Sequence, residues 1–497
     1  MMAGSKRNLI AILLLLKCIL ILTACSAGGE DQDLHIELPP EPEEGVMIYA
    51  ALNPVTGEVQ SSIDRFNESH TDVQIEVRDY SDENGPQRLL VELAAGRVPD
   101  IMEMRRYEPP EPGRERFASE YYIPMRTDRP ENEYWMPYRQ MAQKGYLEDL
   151  WPYIRNDQNL GGEGVLEAPL KAAEVDGGLF MLFRRVRVST LMGPENLVGD
   201  RYKWTFDELA EAFSTMPEDS TILRYNLTKW EVFSQLLSCS LDKYIDWEGS
   251  QCSFDGEEFR NMLLFLNNFP DEAKSETEEK MKDEIVWRIQ NGRQMLEPVL
   301  VSDLTDIVRK DAVWREQAAF PGYPAGEGSS GSFFVPTGNI LAMSSACRYK
   351  EAAWDLLREQ IVQRYKLRDL TDTGRDVDTQ IPINGKDYRL SIQGCLDIAQ
   401  QFDDMGIGVM GYPPESLFSD DFTYEDYRVY ITRVPSKDDV PRFEELINNT
   451  TQIYWPNDAL ANIVWESAGA YFAGDRTLDE TVALIQNRVT LYVNENK

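Results

Sequence analysis

An α/β fold with more than one core is predicted for this 497-residue chain by three observations. The first is rhythm. Over residues 46–102, short apolar or alternating runs take turns with stretches of helical spacing, which calls for parallel strands in one sheet. The second is length, because single cores stop growing near roughly 250–300 residues. The third is composition: 42% hydrophobic and 10% aromatic residues describe a globular chain rather than a disordered one.

The N-terminus is read first, because it is expected to leave the mature protein. Lys6 and Arg7 precede the apolar runs Ile10 to Leu16 and Ile19 to Leu22, and Leu22-Thr23-Ala24-Cys25 follows. A basic head, an apolar centre and small residues before a cut make a secretory signal over 1–24. A retained membrane span is disfavoured by Lys17, since a central lysine costs about 2.5–3.5 kcal/mol on insertion scales. The apolar stretch also falls short of the roughly 20 residues that a span requires. Leu22-Thr23-Ala24-Cys25 resembles the lipobox of bacterial lipoproteins, which implies a diacylglycerol on Cys25 and cleavage just before it. Two acyl chains anchor firmly where one binds only marginally. Residues 25–45 are acidic, rich in Pro and Gly and poor in large apolar side chains. Such a stretch cannot bury enough surface to offset its ordering entropy, so a flexible tether is expected.

Residues 46–51 (VMIYAA) read as a buried strand, and Val59, Ile63 and Phe66 recur at helical spacing after the loop 52–57. Val73, Ile75 and Val77 alternate with polar residues, as in a half-buried strand. A helix over 87–95 ends at Gly96, a residue suited to the left-handed position that closes helices. Pro99-Asp100-Ile101-Met102 begins a third strand. Further on, Thr205 with Glu208 and Thr477 with Glu480 form capping boxes. Ile463, Val464, Ala468, Tyr471 and Phe472 give one apolar face closed by Gly474, and Val482, Ile485, Val489 and Tyr492 continue the helical spacing. Two stretches are irregular: 105–140, with Arg105, Arg106, Tyr107 and Trp135, and the Gly/Ser/Pro-rich 318–338. Long loops of this kind are uncommon in compact domains and often functional.

Charge and motifs exclude several functions. A net charge of −35 disfavours nucleic acid and anionic lipid surfaces as partners. The cysteines Cys239, Cys252, Cys347 and Cys395 match no zinc spacing, and no metal or cofactor is expected. Export permits a disulfide, for which Cys239 and Cys252 are the one close pair; free buried thiols are the favoured reading. No G-x-S-x-G elbow, HExxH helix or Walker loop is present. His35 lies in the tether and His70 in a helix-to-strand turn, so neither is placed for a catalytic triad.

The order of local patterns resembles the family 1 extracellular solute-binding proteins. The resemblance is carried by 63–67 (IDRFN), 73–77 (VQIEV), 93–101 (LAAGRVPDI), 145–150 (GYLEDL), 176–180 (DGGLF), 204–209 (WTFDEL), 350–354 (KEAAW), 471–475 (YFAGD) and 485–489 (IQNRV), and it covers most of 46–497. It implies a two-lobed periplasmic-binding-protein-like fold (class II) with hinge-crossing strands and a helical C-terminus. The implied lobes are 46–165 with 318–365, and 166–317 with 366–497. Between Pro99-Asp100 and Gly145 this chain runs longer than the family, so 105–140 is expected to be an insertion.

The resemblance also implies a function. A lipoprotein on the outer face of the cytoplasmic membrane would capture a sugar or oligosaccharide between its lobes. It would act as a monomer, without chemistry of its own, and deliver its cargo to ABC permease subunits. A surface glycoside-active enzyme and an adhesin-type lipoprotein are the alternatives. Eighty-five carboxylates make some pair at glycosidase separation inevitable, so composition cannot support the first. Polyols call for aromatic faces and fixed polar groups. The candidate ligand contacts are Asn53 after the first strand, Asp100 and Tyr107 around the third, and Arg184 and Arg185 just after the crossing strand. Trp230, Tyr323 and Phe334 are candidate stacking platforms.

Overall fold

The computed structural model describes residues 38–106, 134–247, 249–272, 284–285, 287–314, 317–325, 331–362, 380–404 and 434–495. Cys25, most of the tether, Tyr107 and residues 107–133 of the expected insertion lie outside them.

The first strand, β1 (Val46–Ala51), is buried along nearly its whole length. That suits a parallel strand covered on both faces. It lies between β2 (Gln74–Asp79) and β3 (Ile101–Glu103), parallel to both. The alternation read over 73–77 is observed, with Ile75 buried between exposed Gln74 and Glu76. The helix Gly85–Ala94 that links β2 to β3 ends two residues before Gly96 at φ +78°. There Arg97 N donates to Glu92 O at 2.8 Å, closing the helix as the sequence predicts.

Beyond β3 the chain adds two short strands, β4 (Arg105–Arg106) and β5 (Tyr134–Trp135), which pair antiparallel with Arg105 opposite Trp135. The expected insertion therefore leaves and returns through one paired ribbon. Two long strands then dominate: β6 (Leu182–Pro194) and, much later, β11 (Phe333–Met343), antiparallel to each other. The far part of β6 also pairs with β9 (Glu297–Val301) and β10 (Ala318–Ala319), its Arg185 and Val186 pair with β12 (Ile381–Pro382), and β11 pairs with β13 (Gln452–Ile453). A separate ribbon joins β7 (Ile245–Asp246) to β8 (Gln251–Cys252).

The sheet thus has two halves that share β6 and β11. In one, β11 runs beside β3 through Leu341↔Glu103, Ala342↔Met102 and Met343↔Ile101. In the other, Phe333 to Thr337 face Ser189 to Arg185. Between them the register of β11 shifts across Thr337 and Ile340, and Gly338 sits there at φ +76°. Such a bulge bends the strand and sharpens its twist, which re-aims one half against the other. This is the predicted α/β architecture with crossing strands. Its C-terminal part, Val440–Asn449, Asp458–Phe472 and Leu478–Glu495, is helical as expected. Ala318 and Ala319 pair with Pro194 and Gly193, and Phe333 to Thr337 with Ser189 to Arg185, while Leu341 to Met343 join β3.

Buried apolar side chains form two clusters. The larger runs from Leu89 and Leu93 through Val186 and Val188 to Ile307 and Phe443. The smaller lies beneath the helices Lys229–Tyr244, Glu257–Leu266, Asp458–Phe472 and Leu478–Glu495. Both predicted capping boxes form: Glu208 N donates to Thr205 Oγ1 at 3.2 Å and Glu480 N to Thr477 Oγ1 at 3.3 Å. Cys252 is a free thiol 3.1 Å from Thr490 Oγ1, and Cys347 and Cys395 are free as well. The Cys239 side chain lies outside the described atoms. Among the described residues no helix is long and apolar enough to cross a membrane.

Candidate functional site

Sheet topology locates the site before any side chain is considered. From β1 the chain moves to β2 on one side, then returns to β3 on the other. The reversal makes a crevice beyond the carboxyl ends of β1 and β3, where open α/β sheets bind ligands. Asn53 follows β1 at that end, Glu103 closes β3, and Met104 and Arg105 follow it.

Glu103 organises this corner. Its Oε2 accepts from the backbone N–H groups of Leu52 (2.9 Å) and Asn53 (2.8 Å) and from Asn53 Nδ2 (2.7 Å). Its Oε1 accepts from the Tyr49 hydroxyl at 2.9 Å. The other hydrogen of Asn53 Nδ2 goes to Arg105 O at 2.8 Å. Burial pushes the Glu103 carboxyl above its ordinary pKa, against the opposing pull of these donors. Burial first, and then the Glu103 charge, push the Tyr49 phenol well up.

An aromatic group stands beside the polar corner. Arg105 lies over the Trp135 ring at 5.0 Å, fixed there by the β4–β5 pairing. Trp135 meets Trp455 edge to face at 4.7 Å and Tyr454 at 5.7 Å. Trp455 Nε1 donates to Met136 O at 2.9 Å, and its ring lies 5.5 Å from Tyr138. Tyr454 in turn stacks on Phe333 at 5.8 Å. Trp135 packs against both apolar clusters, so the group spans the junction of the two halves. Burial raises the Tyr134 phenol beside it to about 12.

Directly opposite residues of an antiparallel pair share a face. Arg185 and Arg187, opposite Thr337 and Val335, therefore continue the face that carries Phe333. Arg184 takes the other face by alternation, and its carbonyl accepts from Ile383 N at 3.0 Å. Of the candidates read from sequence, Asn53 and Arg185 are brought to the junction, and Tyr107 lies outside the described residues.

Four other candidates take different positions. Asp100 sits at the opposite end of β3, buried, with Oδ2 accepting from Ile48 N at 2.8 Å; it braces the sheet. Trp230 is packed in the helical layer, 5.0 Å from Trp465 and 5.9 Å from Phe233. Tyr323 and Phe334 are core residues, 2% and 0% exposed. A glycine-rich flank suggested loops, but burial on the inner strand β11 decided otherwise for Phe334.

Glu103, Trp135, Tyr454 and Trp455 were missed as candidates. The Trp455-Pro456 pair after a short apolar run, and a carboxylate at the end of an inner strand, were the available signals. Chemically, the arrangement offers aromatic faces for the apolar side of a ring and fixed amide, guanidinium and hydroxyl groups for polar substituents. Among the described residues no three metal-ligating side chains gather.

No family model matches the chain, and no curated protein matches it in sequence. Solved structures do. One is a periplasmic oligogalacturonide binding protein from Yersinia enterocolitica, at 13% identity and TM-score 0.48, covering 91% of this chain and 99% of that one. Another is the sugar-binding protein MalE from Xanthomonas citri, at 13% identity and TM-score 0.46, covering 90% and 97%. A third is an extracellular solute-binding protein family 1 structure from Alicyclobacillus acidocaldarius, at 12% identity and TM-score 0.43, covering 92% and 100%.

Proposed function

We propose that this protein is the solute-binding receptor of an ABC-type importer. It holds a sugar or oligosaccharide at the junction of its two halves and passes the cargo to permease subunits unaltered. The observation that carries the reading is the convergence of Asn53, Arg105, Trp135 and Trp455 at the switch point between β1 and β3. Flat aromatic faces beside rigidly oriented polar groups suit a pyranose, which presents C–H surface on one side and hydroxyls around its edge. The two halves joined by β6 and β11 supply a hinge by which the ligand can be enclosed. Cys25 and the acidic tether support a lipid anchor on the outer face of the cytoplasmic membrane, which keeps a monomeric receptor beside its transporter.

Calorimetry and melting shifts against a panel of oligosaccharides test this reading. Saturable binding of at least one, with its reducing end left intact, is expected. A protein that binds none of them yet releases reducing ends from one is an enzyme instead. Mass analysis of a membrane fraction tests the anchor: a diacylglyceryl cysteine at position 25 is expected, and a chain still beginning at Met1 would contradict it.

A further inference from the structure

We infer that Glu103 is the positioning residue of this site: its carboxylate holds the loop that presents Asn53, so ligand affinity depends on a group that the ligand itself does not touch. The inference rests on the receptor reading above and deepens it.

The geometry carries the case. One carboxylate oxygen collects three N–H donors, two from consecutive backbone amides and one from the Asn53 side chain. Three donors aimed at one oxygen fix both the backbone at the turn out of β1 and the rotation of the Asn53 amide. Glu103 is only 3% exposed, so water cannot replace these partners. Two of these donors are backbone N–H groups that a fold must pair, so bracing the turn out of β1 and orienting the Asn53 amide are one arrangement.

The surroundings define how Glu103 responds to protons. From β1 the one titratable group that faces it is Tyr49, which donates to Oε1. From β11 the opposing residue is Leu341. The guanidinium of Arg105, two residues on in β4, lies over Trp135 and reaches Gly338 O. Oε2 already receives three N–H groups, so a proton must go to Oε1, with the Tyr49 hydroxyl turning to accept it. Oε2 then becomes a neutral acceptor, and hydrogen bonds to it weaken by about half.

Affinity and stability then move in opposite directions with pH. Burial raises the Glu103 pKa. Stability from this group is therefore complete below the unfolded carboxylate range and is lost as pH rises through the raised value. Affinity does the reverse: it is full where Glu103 is ionised and declines on acidification.

The experiment measures ligand affinity by calorimetry from neutral to acid pH in the full chain, in Glu103→Gln and in Glu103→Met. Gln keeps the shape and one accepting oxygen, so about a fivefold loss is expected at neutral pH, as for a charged acceptor made neutral. Over the window in which Glu103 takes up its proton, the wild type should converge on the Gln variant, whose affinity stays level. Glu103→Met removes every acceptor and should cost more than tenfold. If Met fails to fold, the Gln profile decides. The inference is overturned if a folded Met variant binds as the wild type does, or if the wild type and Gln share one pH profile. If the wild type binds no sugar, the receptor reading fails, and NMR of the Asn53 side-chain amide then decides on Glu103. A shift that titrates in the wild type and is absent in Gln supports the positioning role, and a pH-independent shift refutes it.

Discussion

Truncating Trp455 separates the two things its indole does. The ring meets Trp135 and Tyr138, and Nε1 donates to Met136 O. Met136 O also accepts from Tyr138 N at 2.7 Å, so removing the indole N–H does not orphan the carbonyl. Trp455→Phe keeps most of the ring and should cost about 1 kcal/mol of stability, the net value of one hydrogen bond. Trp455→Ala loses two aromatic pairs, about 0.5–1.5 kcal/mol each beyond burial, and the partial burial of the ring itself. About 3 kcal/mol in all is expected, at the low end for a large aromatic because the residue is only half-buried. Urea unfolding gives both values, and calorimetry on the same samples gives affinity. The Ala variant should also bind at least tenfold more weakly, since Trp135 loses its edge support, whereas Phe should bind nearly as the wild type does. Equal stability losses for Phe and Ala would show that the hydrogen bond, not the ring, holds this corner. An Ala variant with wild-type affinity would place the ligand elsewhere.

Three further outcomes follow from particular contacts. Arg442 pairs with both oxygens of buried Asp311 at 2.9 Å and donates to Ala318 O at 2.7 Å. Arg442→Met should cost about 3–5 kcal/mol by taking the counter-charge from that carboxylate, and an unchanged midpoint in denaturant melts refutes the pairing. At Gly338 an added Cβ would meet open space, so Gly338→Ala tests φ alone; a loss of about 1 kcal/mol is expected, and an unchanged midpoint would mean that the bulge relaxes. For Asp157, burial raises the pKa, but the Arg358 partner and the backbone N–H groups of Asn159 and Leu160 outweigh it and hold it low. Its stabilisation is therefore present above the ordinary carboxylate range and lost as pH falls through the lowered value. Asp157→Asn should flatten that part of the pH–stability profile and match the wild type in strong acid; an unaltered profile refutes the pairing.

Much of the fold was legible because its signals are local. The alternation at Val73, Ile75 and Val77 and the Thr-to-Glu spacing of both capping boxes need only a few neighbouring residues. Gly96 likewise announces its helix end without reference to the rest of the chain. The site was less legible because its partners are distant. Asn53 was a candidate because it follows β1, whose carboxyl end borders the crevice. Glu103 gave only a weak local sign, since a carboxylate three residues past Asp100 reads as an ordinary polar strand end. Trp135 and Trp455 meet across 320 positions, a proximity created by β4–β5 and β13 together. Phe334 and Tyr323 are buried although glycine and serine around them imitate a loop. Pairing with β6 buries the first, and the second stacks against Phe333.

The pairing of β3 with β11 also sets a timetable. Glu103 meets Leu341, more than two hundred residues later, so the sheet cannot close on that side until most of the polypeptide has been made. Contacts so remote in sequence are slow to form. During synthesis the early segments must wait, with β3 open along one edge.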